Sequence, residues 1–119
     1  MRAILVADDD RTCRDSIQKV LEREGHTVRT VGNVDAALQA LGTQHFDLVV
    51  CDYRMPGKTG VDLLIELRRQ ALLVPVLMIS AHADASVQDA FFRLGALEVL
   101  RKPIRRQQLI ERAAKFVGG

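Results

Sequence analysis

Five polar side chains that could together do phosphate chemistry follow apolar runs of strand length at four places in the chain. They are Asp8 and Asp9 after the first run, Asp52 after the third, and Ser80 and Lys102 after the last two. Neighbouring carboxylates repel one another, and a hard divalent cation such as Mg²⁺ relieves that repulsion while bridging to phosphate. A lysine ammonium and a serine hydroxyl can hold anionic oxygens, and an aspartate can be a nucleophile that forms an acyl phosphate. The set therefore predicts in-line phosphoryl transfer onto Asp52.

Alternating strands and helices would have to position these groups. Strand-length apolar runs cover residues 3–7, 26–30, 46–51, 75–79 and 97–100. A segment with apolar residues at helical spacing follows each run, which predicts five helices. The near-continuous apolar runs favour a parallel sheet covered on both faces, with the more polar second strand at an edge. Right-handed crossovers then give an open, doubly wound α/β fold, in which the carboxyl ends of the strands share one edge.

Each of these polar residues also has an ordinary structural explanation. Asp8 or Asp9 alone would be a charge favoured at the start of a helix, Ser80 a strand-end hydroxyl and Lys102 an exposed lysine. Asp10 is most simply a helix N-cap, and we assign it no role in a site. The joint placement of the others at four strand ends is what favours a functional site.

The stretch Gly57-Lys58-Thr59 resembles the end of a phosphate-binding P-loop. That motif requires a glycine five positions before Gly57, and Asp52 stands there instead. The stretch also follows the third strand rather than the first. We therefore exclude a P-loop and expect Gly57 and Gly60 to shape the turn into the third helix.

Composition narrows the class of protein. A length of 119 residues with 48% hydrophobic and 27% charged residues predicts one globular domain over residues 1–119. The net charge of +2, and a basic cluster at residues 101–106 without interleaved aromatics, argue against direct contact with nucleic acid. No apolar run approaches a membrane span and no signal peptide is evident, so we expect a cytoplasmic protein without membrane association. Cys13 and Cys51 lack metal-site spacing and are expected to be free thiols.

From about residue 3 to residue 117, the chain resembles a receiver domain of bacterial two-component response regulators. The joint order and spacing of its motifs are highly specific. These motifs are Ile4-Leu5-Val6-Ala7-Asp8-Asp9-Asp10, Asp52-Tyr53-Arg54-Met55-Pro56 with Gly60, Pro75-Val76-Leu77-Met78-Ile79-Ser80-Ala81, and Gly95-Ala96 leading to Lys102-Pro103. The resemblance implies the CheY-like form of the flavodoxin-like fold, a five-stranded parallel sheet in the order 2-1-3-4-5 with five helices.

The resemblance also implies roles in the site. Asp52 would be the phosphoacceptor, and Lys102 would hold the phosphoryl group and Asp52. Asp9 would be the direct acidic ligand of Mg²⁺, or of Mn²⁺ in its place, and Asp8 would act nearby, chiefly through metal-bound water. The backbone carbonyl of Arg54 would complete the protein ligands, with Asp52 itself among them.

Further implied roles concern hydrolysis and switching. Ser80 corresponds to a hydroxyl that moves toward the phosphoryl oxygen, while Arg54 and His82 match positions that modulate hydrolysis of the aspartyl phosphate. The family usually has Phe or Tyr three residues before the lysine, where this chain has Val99. A β-branched valine has little rotamer freedom. Communication with the α4-β5-α5 face, formed by the fourth helix, fifth strand and fifth helix, is therefore expected to differ.

The implied function is a switch rather than a turnover enzyme, although it would catalyse its own phosphorylation and dephosphorylation. A sensor histidine kinase or a phosphotransfer protein would supply the phosphoryl group. On the fourth helix, Phe91 fits the inward stripe and Phe92 points roughly 100° away from it. An exposed Phe92 would suit a partner or a homodimer contact through the α4-β5-α5 face, or would be partly covered by its neighbours.

Two alternatives are weighed against this function. A phosphorylation-independent interaction module is favoured by Val99, but the complete acidic site opposes it. A phosphatase with an aspartate nucleophile would need a second aspartate two residues after Asp52, and Arg54 occupies that position. The chain also leaves no room for a cap domain, which disfavours the phosphatase further.

Overall fold

Five strands and five helices alternate in the computed structural model, which describes residues 2–81 and 85–117. Their bounds are β1 Ala3–Ala7, α1 Arg11–Arg23, β2 Thr27–Val31, α2 Val34–Thr43, β3 Leu48–Asp52, α3 Gly60–Arg69, β4 Val76–Ser80, α4 Ala85–Arg93, β5 Glu98–Arg101 and α5 Arg106–Val117. Strands β2 to β5 start and end slightly later than the apolar runs predicted. Asp52 and Ser80 are consequently the last residues of their strands.

The strands form one parallel sheet in the order β2-β1-β3-β4-β5, as predicted. Strand β2 lies at an edge and has no fully buried residue, which explains its polar sequence. Strand β3 is buried along its whole length at the centre of the sheet. Its last residue, Asp52, lies opposite Ile79 of β4, and Ser80 lies opposite Arg101 of β5. The register therefore places the ends of three neighbouring strands side by side.

Alternate residues of each strand point into two separate apolar layers, because side chains in a strand alternate between faces. In β1, Leu5 and Ala7 join the layer beneath α2, α3 and α4. Ile4 and Val6 join the layer beneath α1 and α5. Both faces of the sheet are thus covered, which confirms the doubly wound architecture predicted from the apolar runs.

The helix ends follow the predicted signals. The side chain of Asp10 accepts hydrogen bonds from two N–H groups in the first turn of α1, at 3.0 and 3.3 Å. Asn33 caps α2 by accepting the N–H of Ala36 at 2.7 Å. Gly25 and Gly95, just past the ends of α1 and α4, have φ angles of 90° and 99°. These left-handed conformations favour glycine and stop each helix.

Within the described ranges, no helix is both long and apolar enough to cross a membrane. The thiols of Cys13 and Cys51 are both free, as expected.

Candidate functional site

Three carboxylates converge at the carboxyl edge of the sheet. Asp8 and Asp9 follow β1 directly, and Asp52 ends the adjacent strand β3. Each offers an oxygen within 4.8 Å of the others. Asp8 is 1% exposed and Asp52 7%, whereas Asp9 is open to solvent. The structure therefore brings together acidic residues that are more than forty positions apart in the sequence.

Lys102 supplies a cation to this cluster from the end of β5. Its Nζ lies 3.1 Å from Asp52 Oδ2 and 3.4 Å from Asp8 Oδ2. Its backbone N–H donates to the carbonyl oxygen of Ser80 at 2.9 Å, and Ser80 itself is buried at the end of β4. One ammonium thus bridges two carboxylates at the bottom of the site, with the serine on the neighbouring strand.

Burial and charge act together on the two central groups. Burial raises the pKa of the Asp52 carboxyl, and the charges of Asp8 and Asp9 raise it further, although the hydrogen bond from Lys102 opposes the change. Burial disfavours the Lys102 ammonium, but the hydrogen bond to Asp52 and the negative charges of Asp52 and Asp8 outweigh it and raise the pKa of the lysine. Lys102 therefore stays protonated, and one positive charge does not balance the acidic cluster.

The donor set fits a hard divalent cation. The three converging carboxylates offer oxygen ligands only, which suits Mg²⁺ or Mn²⁺ rather than a metal that prefers sulfur or imidazole. A bound cation would relieve the repulsion that raises the pKa of Asp52.

Backbone contacts hold Asp8 in place. Its N–H donates to Val31 at 3.1 Å, and its Oδ1 accepts the N–H of Asp10 at 2.9 Å. Arg14 Nη1 donates to its carbonyl oxygen at 3.0 Å. Gly32 leaves room for that guanidinium, since a Cβ there would lie 3.0 Å from Arg14 Nη1. Neither Arg14 nor Gly32 was predicted, because nothing in their spacing signals a contact between α1 and the loop after β2.

The loop after Asp52 is anchored at both ends. The N–H of Tyr53 donates to Ile79 at 2.8 Å, and its carbonyl oxygen accepts the N–H of Gly60 at 2.8 Å. A Cβ at Gly60 would lie 2.6 Å from Met78 Sδ and 3.3 Å from the carbonyl oxygen of Asp52. A Cβ at position 60 would therefore displace the end of the Met78 side chain and crowd the backbone of Asp52, so close approach favours glycine there.

Lys58, the lysine of the stretch that resembles a P-loop, forms an ion pair. Lys58 Nζ lies 2.6 Å from Asp35 Oδ1, so it ties the loop after β3 to the start of α2. Gly57, beside it, has a φ of 81°. Both residues shape the loop.

Two other predicted positions lie among the described residues. The Arg54 side chain is exposed, and Val99 is half-buried against the layer beneath α2, α3 and α4. His82 lies outside the described residues. Phe91 is fully buried and Phe92 is 50% exposed, which confirms their predicted orientations.

A cavity of about 520 Å³ opens beside Lys102, between α1 and the segment leading into α5. Cys13, Ile17, Ile104 and Leu109 are among its lining residues. Burial, helped by the carboxylate of Asp8, raises the pKa of the Cys13 thiol to about 12. The thiol is thus protonated at neutral pH, so Cys13 is a poor nucleophile.

Comparison with known proteins identifies the family. The model of the response regulator receiver domain matches residues 4–114. The chain is 41% identical over 106 residues to the response regulator protein PmrA of Pseudomonas aeruginosa, covering 89% of this chain and 48% of that protein. It is 36% identical over 106 residues to the transcriptional regulatory protein FixJ of Bradyrhizobium diazoefficiens, covering 89% and 52%. The chain therefore spans about half the length of these relatives.

Solved structures agree in fold. The receiver domain of the Francisella response regulator 1452 superposes with a TM-score of 0.93 at 29% identity, covering 98% of this chain and 96% of that one. The response regulator protein TrrA of Thermotoga maritima, solved in complex with Mg(2+)-BeF, gives 0.88 at 26% identity, covering 98% and 100%.

Proposed function

We propose, from the premise that this chain belongs to the response regulator receiver domain family, that Asp52 is the residue that accepts the phosphoryl group. Receiver domains are phosphoacceptor signalling domains, and they interact with histidine kinases or phosphotransfer proteins. The observation that carries the assignment is the position of Asp52. It lies at the end of the central strand, beside two further carboxylates, and is hydrogen-bonded to Lys102 at 3.1 Å.

In the proposed reaction, a carboxylate oxygen of Asp52 attacks the phosphorus atom of a phosphohistidine. The bond from phosphorus to the histidine nitrogen breaks as the bond to Asp52 forms, giving an acyl phosphate and a free imidazole. Lys102 holds the negative charge of Asp52 and of the incoming oxygens. Because burial raises the pKa of Asp52, the lysine also favours the ionised form that attack requires.

Asp8, Asp9, Asp52 and the backbone carbonyl of Arg54 would hold Mg²⁺, or Mn²⁺ in its place. When bound, the cation would neutralise charge on the phosphoryl oxygens. Among these residues, the buried Asp8 is fixed by its backbone contacts, whereas Asp9 is open to solvent.

The remaining assignments concern regulation. Ser80 would move its hydroxyl toward the phosphoryl oxygen, and Arg54 and His82 would modulate hydrolysis. The protein would be a switch with intrinsic autophosphorylation and autodephosphorylation rather than a turnover enzyme.

We also propose that residues 1–119 form one receiver domain. The described residues have a radius of gyration of 12.8 Å, close to the value of about 13.5 Å expected for a single domain of this length. The domain would act in the cytoplasm, where nucleotide-dependent kinases generate phosphohistidine, and would make no direct contact with nucleic acid. A homodimer would form through the α4-β5-α5 face, where Phe92 is exposed.

Intact mass after incubation with Mg²⁺ and acetyl phosphate tests the site. We expect the mass of one phosphoryl group to be gained, and the gain to be lost with EDTA and in Asp52→Asn. A conservative Asp10→Asn variant is the matched control, since Asp10 caps α1 outside the acidic cluster, and it should be phosphorylated normally. A folded wild-type chain that binds Mg²⁺ but gains no mass would favour the phosphorylation-independent interaction module.

A further inference from the structure

We infer that Tyr53 and Phe91 transmit the state of Asp52 to helix α4, in place of the residue at position 99. The inference rests on the proposed function, because it assumes that Asp52 is phosphorylated. Tyr53 directly follows Asp52 in the chain. Its ring meets the ring of Phe91 on α4 edge to face, with centroids 5.2 Å apart and planes at 68°. One aromatic contact thus joins the loop of the phosphoacceptor to α4.

Val99 is poorly suited to this task. It lies on β5 opposite Met78 of β4 and is half-buried against the same apolar layer as Tyr53. Its β-branched side chain has restricted χ1 freedom, and it has no ring that could exchange between two pockets. Of the aromatic residues in this layer, which also includes Phe46, Tyr53 and Phe91 contact each other, so their contact can replace a switching ring at position 99.

Tyr53 is mechanically linked to the site through its backbone. Its N–H donates to the carbonyl oxygen of Ile79, the residue before Ser80, at 2.8 Å. A displacement at the end of β4, where Ser80 lies, therefore acts on Tyr53 as well. The carbonyl oxygen of Tyr53 accepts the N–H of Gly60, which holds the backbone to α3. A change in the site is thus passed to the half-buried ring.

Helix α4 can convert ring movement into a surface change. Phe91 is fully buried, and its neighbour Phe92 is 50% exposed. Packed interiors repack between discrete arrangements rather than deforming smoothly, so displacement of Phe91 moves the helix and Phe92 with it. Arg68 Nη1 of α3 donates to the carbonyl oxygen of Arg93 at 2.9 Å. This exposed bond joins the C-terminal end of α4 to α3.

Hydrogen–deuterium exchange of α4 amides, measured before and after phosphorylation by acetyl phosphate, tests the inference. In wild type we expect α4 exchange to change on phosphorylation. Tyr53→Leu removes the ring at a half-exposed site, and should still gain one phosphoryl group while losing the α4 change. Tyr53→Phe keeps the ring and should retain the change. Val99→Ala should retain it too, because the signal does not pass through position 99.

Tyrosine fluorescence gives a second test, which remains possible if Tyr53→Leu does not fold. The chain has one tyrosine and no tryptophan, so tyrosine emission reports on Tyr53 alone. Phosphorylation should change this emission in wild type and in Val99→Ala, and the change should be lost in Phe91→Leu.

The outcomes separate the two proposals. A wild-type chain that gains no phosphoryl group overturns the proposed function, and this inference with it. A phosphorylated Tyr53→Leu variant that keeps the α4 change overturns only the inference. Loss of the change in Val99→Ala, with retention in Tyr53→Leu, would return the signal to position 99.

Discussion

Among the individual side chains, Asp52 illustrates a conflict between folding and function. The carboxylate is nearly buried beside two others, where its charge is unfavourable, yet the proposed nucleophilic attack requires the ionised form. Lys102 relieves part of the conflict through a single hydrogen bond. A divalent cation would reduce the remaining repulsion between the carboxylates. This explains why the site would favour a positively charged ligand.

Asp52→Asn should stabilise the metal-free protein at pH 7 by about 1–2 kcal/mol. The folded-state pKa of Asp52 is raised by burial and by its acidic neighbours, so the ionised form disfavours folding. Wild type should regain stability relative to the variant as pH falls through the folded pKa, and the difference should vanish below the unfolded value of about 3.9. Urea unfolding in EDTA at each pH measures this difference in stability. Lower stability of the variant at pH 7 would show that the bond to Lys102 dominates.

Replacement of Asp47 should have the opposite effect on stability. Its Oδ2 accepts the N–H of Ala3 at 2.7 Å, and this bond lowers its pKa, with a smaller contribution from His45. Because the folded pKa is depressed, the stabilisation is present above the unfolded value near 4 and is lost as pH falls through the folded pKa. Asp47→Asn should cost about 0.5–1 kcal/mol at neutral pH, a modest figure for a partly exposed group.

To test the prediction for Asp47, the unfolding free energies of wild type and Asp47→Asn are measured from pH 2 to 7 and compared. Subtracting the two curves removes the titration of all other carboxylates. A difference that stayed constant with pH would show that the charge of Asp47 has no part in holding the start of β1.

Among the secondary-structure elements, α3 has a start that is constrained both by close packing and by a cap. The helix begins at Gly60, which approaches both Met78 of β4 and the carbonyl oxygen of Asp52. The N–H of Thr59 donates to Asp62 Oδ2 at 2.7 Å, forming part of a capping box. The start of the helix is therefore held against β4 and the end of β3, and a change at its first residue would reach Asp52.

Gly60→Ala should destabilise the protein by about 1–3 kcal/mol, because the added Cβ overpacks against Met78. It should also slow phosphorylation of Asp52, whose carbonyl oxygen is 3.3 Å from the new atom. Gly42→Ala is the matched control within α2, since no atom lies within 4 Å of a Cβ there. It should stabilise the protein by about 0.5–1 kcal/mol. Thermal unfolding measures the stability of both variants. Equal changes in stability for Gly60→Ala and Gly42→Ala would contradict overpacking at position 60.

In the molecule as a whole, the site depends on the sheet rather than on any one loop. Its groups come from the ends of β1, β3, β4 and β5, which only the complete parallel sheet aligns. Occupation of the site should therefore stabilise the entire domain, because a ligand that binds only the folded state shifts the folding equilibrium.

Mg²⁺ should raise the unfolding free energy of wild type by about 2.7 kcal/mol at a concentration a hundred times its dissociation constant. Asp9→Asn should remove most of this increase, and its metal-free stability should be slightly above that of wild type, because the variant loses a charge that repels the Asp52 carboxylate. Asp15→Asn, on the outer surface of α1, should respond to Mg²⁺ like wild type. Titration of the melting temperature with Mg²⁺ gives the comparison. An unaltered response of Asp9→Asn would place the cation elsewhere.

Much of this architecture could be predicted from the amino-acid order. Strand and helix positions follow from run length and periodicity, which are local properties, and the cap at Asp10 and the stops at Gly25 and Gly95 were predicted and found. The placement of Asp52 at a strand end was also predicted from the sequence. Strand bounds shifted by one or two residues because hydrogen bonding with neighbouring strands, rather than apolarity, sets where a strand ends.

Other features were decided by the tertiary structure alone. The contact of Lys102 with Asp8, and the edge contact of Tyr53 with Phe91, join residues that are 94 and 38 positions apart. Such contacts depend on the crossovers between strands and on the rotamer that each side chain adopts in the packed interior. Local sequence patterns encode neither, so the folded molecule was needed to show which aromatic ring contacts Tyr53 beside Asp52.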